Sequence, residues 1–159
     1  MNIHIIAVGK CKEKYWTEAV GEYLKRLSRY AKVDITEIRD EKTPDDTESA
    51  EARLVKEKEG RGILSKIPDK GYAIAAEISG ERLTSSALSE KLACYGLTGK
   101  SDLYIVLGGS LGLSDEVLKR CDEKWSFSDM TFPHQLARVI LLEQLYRGFR
   151  ILRNEPYNK

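Results

Sequence analysis

Asp102-Leu103-Tyr104-Ile105-Val106-Leu107-Gly108-Gly109-Ser110-Leu111-Gly112 is the stretch that decides the fold. Its first half is a short apolar run rich in β-branched and aromatic side chains, the pattern of a strand buried on both faces. Its second half is a cluster of glycines, which lets the backbone turn tightly or approach a ligand closely. Two other apolar runs have the same character, Ile3 to Val8, ending at Gly9, and Gly71 to Ile78, bounded by Gly80; Val33 to Ile38 instead alternates (Val33, Ile35, then Glu37 out of step) and reads as a further strand. Trp125-Ser126-Phe127 reads as a short fifth strand.

Between the strands the period changes to that of helices. Trp16, Val20, Tyr23, Leu24, Leu27 and Tyr30 recur at steps of three or four, predicting a helix from Lys14 to Tyr30. Thr43-Pro44-Asp45-Asp46 is expected to open a charged, solvated helix running to about Lys66. Thr84 and Ser114 are expected N-caps of two further helices, and Pro133 starts a long one ending near Leu152. Strand and helix thus alternate along the whole chain. One α/β domain over residues 1–159 is expected, a mostly parallel sheet with helices on both faces.

The 159 residues are 42% hydrophobic and 32% charged, with 26 Lys+Arg against 25 Asp+Glu. That composition excludes collagen-like and fully disordered classes. No apolar run reaches the roughly 18 residues of a membrane span, and the N-terminus lacks the layout of a signal peptide. Cys11, Cys94 and Cys121 are odd in number and widely spaced, as expected for free thiols in a reducing cytoplasm. The near-zero net charge hides a division. Residues 10–32 hold seven Lys/Arg and three Glu, and residues 132–159 hold five Lys/Arg and two Glu. Residues 40–59 hold eight acids and four bases. A polyanionic partner would therefore be met locally rather than by bulk charge.

Ligands of open α/β sheets bind beyond the carboxyl ends of the strands. Three such segments fall there: Ile78 to Gly80, Gly108 to Gly112 and Phe127 to Phe132, and the last two stand out. The glycines at 108, 109 and 112 do not have the spacing of a dinucleotide fingerprint, although Asp129 lies downstream where a ribose-binding acid would. They are either a plain tight turn or a ligand loop. Phe127-Ser128-Asp129-Met130-Thr131-Phe132 is either helix capping or a polar loop facing the glycine turn. Ser110, His134 and Asp129 lack a nucleophile elbow, so a hydrolase triad is not expected, and with two histidines and no thiol pair a metal site is not expected either. On the last helix, apolar residues including Leu136, Val139, Ile140, Leu141, Leu142, Leu145, Phe149 and Leu152 cover nearly all directions, which predicts a second wall supplied by another subunit. Glu143, Arg147 and Arg150 share the remaining face, as an i,i+4 ion pair or as arginines aimed at phosphate.

Taken together, Ala7-Val8-Gly9-Lys10 with Lys12-Glu13-Lys14-Tyr15-Trp16, the glycine turn 108–112, Phe127 to Gln135 running on to Glu143-Gln144-Leu145-Tyr146-Arg147, and Glu155-Pro156-Tyr157 resemble one family over essentially the whole chain. It is that of the small SPOUT-class methyltransferases which methylate N3 of a pseudouridine in large-subunit ribosomal RNA (the RlmH family). The resemblance implies an α/β trefoil knot threaded near Gly108 to Phe132 and a cytoplasmic homodimer with RNA bound across both subunits. The implied methyl donor is S-adenosylmethionine, and the implied substrate is 23S rRNA, in assembled 70S ribosomes. By position the cofactor residues would be Ala76, Gly108, Phe127, Ser128, Asp129, Met130, Thr131 and Phe132. Arg147 with the tail residues Tyr157, Asn158 and Lys159 would position the base and stabilise developing charge. No metal and no membrane enter this scheme.

This chain departs from the family pattern twice. Asn158 stands where the family usually carries histidine, so a histidine-dependent proton transfer there is not carried over, and no dedicated general base stands out. Ala76 stands where leucine is usual, which loosens the expected adenine packing. The competing expectations are a non-catalytic RNA- or ribosome-binding module on the same fold, and a nucleotide-dependent oxidoreductase, against which the glycine spacing argues.

Overall fold

The structure is a computed structural model, and it describes residues 1–157. The elements run β1 (Asn2–Val8), α1 (Lys14–Leu27), β2 (Lys32–Ile38), α2 (Ala50–Leu64), β3 (Tyr72–Arg82), α3 (Ser85–Leu97), β4 (Asp102–Leu107), α4 (Asp115–Arg120), β5 (Glu123–Ser126) and α5 (His134–Leu152). The strands form one sheet in the order β2-β1-β4-β3-β5, and every neighbouring pair is parallel.

The continuous apolar runs are explained by two cores, one on each face of the sheet. In β1, Ile3, Ile5 and Ala7 point to one side and join Leu103, Ile105 and Leu107 of β4 and Ile74 of β3 under α1, α3 and α5. Ile6 and Val8 point to the other side and join Val106, Ala73 and Ala75 under α2 and α4. A side chain alternates faces at every residue, so only a run apolar at every position can serve both. Ile5 lies between Ile35 and Ile105 in register and is fully buried. Its truncation to alanine would cost about 2–5 kcal/mol.

The caps at Thr84 and Ser114 form as the sequence predicts. Thr84 Oγ1 accepts the Ala87 N–H at 3.1 Å, and Ser114 Oγ accepts the Val117 N–H at 3.4 Å. The acidic helix starts later than expected. It begins at Ala50, and Ser49 Oγ accepts the Ala52 N–H at 3.1 Å. Upstream, the Asp46 carboxylate accepts the Glu48 N–H at 3.0 Å, and the Asp46 carbonyl accepts the Ser49 hydroxyl at 2.7 Å. These local turns compete with a helix over 43–49, where no buried apolar residue would reward one.

Strand β3 also overruns its expected stop at Gly80. Pairing between β3 and β5 shifts register between Ala76 and Glu81, and a Cβ on Gly80 would lie 2.7 Å from the Lys124 carbonyl carbon. Glycine here permits a close approach of two strands around a bulge rather than ending one. Helix α1 ends at Leu27, three residues short of Tyr30, with Ser28 as its C-cap.

Helix α5 packs against α1 and α3 within the same chain. That contact accounts for the buried side of its apolar surface, Leu141, Leu142, Leu145 and Phe149. Leu136, Val139 and Ile140 on its remaining side are only half-buried.

Candidate functional site

The carboxyl ends of β3, β4 and β5 open onto a cleft of about 630 Å³. That volume suits a ligand of cofactor size. Its walls come from three segments brought together by the strand order: Ala76 to Ile78 at the bulge within β3, the glycine turn after β4, and Phe127 to Pro133 between β5 and α5 with His134 at the start of α5. The turn closes with the Gly112 N–H donating to the Gly109 carbonyl at 3.0 Å. Gly112 has φ +79°, and a Cβ on Gly108 would stand 2.8 Å from the Gly112 carbonyl carbon. Both positions therefore need glycine.

The facing loop is held by its own side chains. The Met130 N–H donates to Ser128 Oγ at 3.0 Å, and Ser126 Oγ donates to the Ser128 carbonyl at 3.2 Å. Neither Asp129 nor Thr131 caps α5, whose N-cap is Pro133 without a side-chain hydrogen bond. The polar residues of this segment thus shape a loop opposite the glycine turn instead of starting the helix.

Of the expected cofactor residues, Ala76, Gly108, Phe127, Ser128, Met130, Thr131 and Phe132 line this cleft. Asp129 does not. Its exposed carboxylate pairs with the Arg82 guanidinium. Leu107, Leu113, Trp125 and Ala137 add apolar wall that the motif reading did not single out. Leu107 was legible as the last residue of a buried strand, but Ala137 has no sequence signal of its own.

Among the described residues, the only ionisable side chains lining the cleft are Glu77 and His134. No lysine or arginine reaches it, so the walls offer nothing to neutralise a pyrophosphate. Burial, reinforced by the neighbouring Arg138 charge, lowers the His134 pKa against the opposing pull of Asp40, Glu13 and Glu37, which leaves the imidazole neutral at pH 7. The ring sits against Gly9, where a Cβ would come within 2.9 Å of Nε2.

One turn further along α5 lies a residue that the charge count misplaced. Arg138 belongs to the basic stretch 132–159, yet it is 1% exposed. Its Nη1 donates to Glu37 Oε1 at 2.8 Å, and its Nη2 donates to the carbonyls of Val8 at 2.8 Å and Gly9 at 2.6 Å. It ties α5 to the ends of β1 and β2 and contributes nothing to surface charge. Pairing and hydrogen bonding at both Nη atoms offset the burial of the charge, while Nε is buried without a hydrogen-bond partner.

The expected catalytic residues gather elsewhere. Arg147 donates to Glu143 Oε1 from Nη2 at 2.6 Å and from Nε at 3.0 Å, and its guanidinium lies 4.7 Å from the Tyr157 ring centre. The Tyr157 hydroxyl donates to the same carboxylate oxygen at 3.2 Å. Burial, with Tyr23 and the Glu143 charge, pushes the Tyr157 phenol up to about 12. Arg147 is thirteen residues along α5 from His134, a rise of about 20 Å. The pair is therefore assembled, but far from the cleft of its own chain. Asn158 and Lys159 lie outside the described residues.

Among the described residues, no group of three His, Cys, Asp or Glu side chains is placed to hold a metal ion, and no helix is long and apolar enough to cross a membrane.

Residues 1–158 match the family model described as "Predicted SPOUT methyltransferase". The chain is 56% identical over 159 residues, the full length of both proteins, to proteins named ribosomal RNA large subunit methyltransferase H from Clostridium kluyveri and Alkaliphilus oremlandii. A protein of the same name from Bacillus cytotoxicus is 55% identical over 159 residues, again all of both chains. Among solved structures, a probable methylase family protein from Haemophilus influenzae superposes with a TM-score of 0.52 at 12% identity, covering 99% of this chain and 70% of that one. That last likeness concerns the fold alone.

Proposed function

The chain belongs to the SPOUT methyltransferase family, and from that premise we propose that it transfers a methyl group from S-adenosylmethionine to N3 of a pseudouridine in 23S rRNA. The observation that carries the proposal is the cleft, together with full-length identity to relatives named for large-subunit rRNA methylation. Among the described residues its walls are backbone, apolar side chains and small hydroxyls, with Glu77 and His134 but no lysine or arginine. They suit a flat purine and a positively charged sulfonium better than a phosphate-bearing nucleotide.

In this reading Gly108 and the loop from Phe127 to Phe132 bind adenine and ribose through backbone groups, with Ala76 forming part of the same wall. Phe127, Phe132 and Leu107 exclude water, and Glu77 is the one carboxylate able to face a cationic group. The bound donor supplies an electrophilic methyl in line with the acceptor nitrogen. The protein's task is then to hold the acceptor in near-attack geometry and to stabilise the charge that develops on the base. Arg147 and Tyr157 take that role, with Asn158 and Lys159 of the same tail.

The distance of about 20 Å along α5 supports a two-fold dimer in which each subunit's tail serves the other's pocket. The half-buried face of Leu136, Val139 and Ile140 supplies apolar surface for that contact. The reading includes a trefoil threading of residues 108–132. The strand order supports it, since β5 follows β4 in sequence yet lies beyond β3. It also places the protein in the cytoplasm with its ribosomal substrate.

The test is incubation of purified protein with methyl-tritiated S-adenosylmethionine and 70S ribosomes or large subunits. Label recovered in a pseudouridine-containing fragment of 23S rRNA is expected, and absence of label would overturn the proposal. Calorimetry without heat from S-adenosylmethionine or S-adenosylhomocysteine would favour a non-catalytic RNA-binding module instead.

A further inference from the structure

The two basic stretches of the sequence, 10–32 and 132–159, come together because α1 and α5 pack side by side. Both helices start at the cleft edge of the sheet and end at the opposite edge, so their C-terminal turns share one surface. There Arg29 lies 6.0 Å and Arg153 lies 4.7 Å from the centre of the Tyr30 ring. Arg26 stands close by, 5.8 Å from the ring of Tyr146, which itself meets Tyr30 edge-on at 5.8 Å.

The carboxylates here are already committed. Glu22 takes Arg26 at 2.7 Å, and Glu155 takes Arg150 at 2.9 Å and the Tyr30 hydroxyl at 2.5 Å. Arg29 and Arg153 are exposed and make no ion pair among the described residues. The acidic helix α2 lies across the sheet, on the other face. A single surface arginine is normally just solvated. Two guanidiniums within 6.0 Å of one tyrosine ring, which is itself stacked on Phe149 at 5.8 Å and fixed through its hydroxyl to Glu155, form a cationic platform instead.

We propose that this Arg29–Tyr30–Arg153 face is a docking surface for a single-stranded stretch of RNA. Arg29 and Arg153 pair with successive phosphates, and the guanidinium–tyrosine stack offers a flat surface to an unpaired base. The proposal rests on the rRNA methyltransferase reading and adds to it a surface at the end of the protomer away from its own cleft. The large substrate would be held there while the reacting nucleotide enters a cleft.

The test compares R29E/R153E with the unaltered protein by fluorescence anisotropy, using a fluorescein-labelled oligouridylate, over a range of salt concentrations. Calorimetry with S-adenosylmethionine and circular dichroism serve as controls. The reversed pair is expected to bind the oligonucleotide about tenfold more weakly or worse. Its slope of log affinity against log salt should be shallower by about one unit per arginine. Cofactor affinity is expected to stay unchanged. R29K/R153K should recover the slope and most of the affinity, and R153Q alone gives a half-sized effect should the reversed pair fail to fold.

Unchanged affinity and slope in all three variants would overturn the proposal. So would a loss confined to intact large subunits with oligonucleotide binding intact, since that would place a ribosomal protein on this face. Failure of the unaltered protein to methylate rRNA would sink the proposed function while leaving the binding titration readable.

Discussion

The two edges of the sheet are built by different means. At the carboxyl edge the cleft is made of backbone and apolar walls, and its shape depends on a glycine turn and a self-bonded loop. At the opposite edge side chains carry the chemistry, with guanidiniums over tyrosine rings and carboxylates shared between them. A backbone-built site is insensitive to charge and salt but cannot accept a Cβ at the turn. A side-chain site keeps its shape when one residue is shortened and loses the function of that residue, and its long-range action is screened by salt. Under the proposed function this contrast divides the work: donor binding at one edge, RNA handling at the other.

The largest expected effect comes from cutting the second edge. Arg147→Ala should leave S-adenosylmethionine affinity within about twofold of the unaltered protein while lowering turnover on large subunits by about 100- to 1,000-fold. Calorimetry and a tritium-transfer assay read the two quantities separately. Loss of cofactor binding would merge the two edges into one site and break the comparison.

The mirror experiment is Gly108→Val. A Cβ there meets the Gly112 carbonyl carbon at 2.8 Å, and that neighbour is backbone and cannot swing aside. Cofactor affinity should fall about a hundredfold, or ~2.7 kcal/mol. Binding of an RNA oligonucleotide to the other edge should be unaffected. An affinity that survives would mean the turn does not shape the cleft.

Acid sharpens the comparison in a third way, because β5 enters the sheet through Glu123 at the edge opposite the cleft. Burial pushes this carboxyl up, but donation from Tyr72, Lys91, Trp125 and Tyr95 outweighs it and holds the pKa down to about 2. A folded pKa below the ordinary carboxyl value of 4.5 means that the unfolded chain binds the proton first. The stabilisation is therefore complete above about pH 4.5 and fades as pH falls towards 2. Glu123→Gln should lower stability at neutral pH by about 1–3 kcal/mol and flatten the acid limb of a denaturation series. An unchanged acid limb would show that the four donors do not anchor β5.

The sheet and its helices were largely legible because the physics that forms them is periodic. Ile3 to Val8 is apolar at every position, since both faces of β1 are covered, and Thr84 and Ser114 cap helices through bonds that span three residues. What escaped was non-local. Gly80 looks like a strand end until the backbone of β5 is seen beside it. Arg138 counts as surface charge until Glu37 and the ends of β1 close around it. Pro44 and its acids look like a helix start, but local turns consume them and no apolar partner follows before Ala52. In the cleft, the glycine turn announced itself through composition, whereas Trp125 and Ala137 line it only because of the order of the strands. The separation between Arg147 and the cleft follows from the length of α5, which the sequence does contain. That Arg147 stands far from Gly108 emerges only when both are set on the same sheet.

Asp129 should give the smallest effect. Position within the loop made it a cofactor residue, but its side chain turns outward to the Arg82 guanidinium, and both groups are well exposed. An exposed pair of this kind contributes about 0–1 kcal/mol to stability. If the loop acts through its backbone, Asp129→Ala should change S-adenosylmethionine affinity by less than about twofold and leave turnover intact, with calorimetry and the tritium assay as readouts. Phe132→Ala, which removes cleft wall, should weaken affinity far more, because its ring lines the cleft that the Asp129 carboxylate does not reach. A tenfold loss from Asp129→Ala would mean that the carboxylate leaves Arg82 and turns inward when the cofactor binds. The cleft edge would then no longer be a purely backbone-built site, and the contrast between the two edges would narrow to the arginines alone.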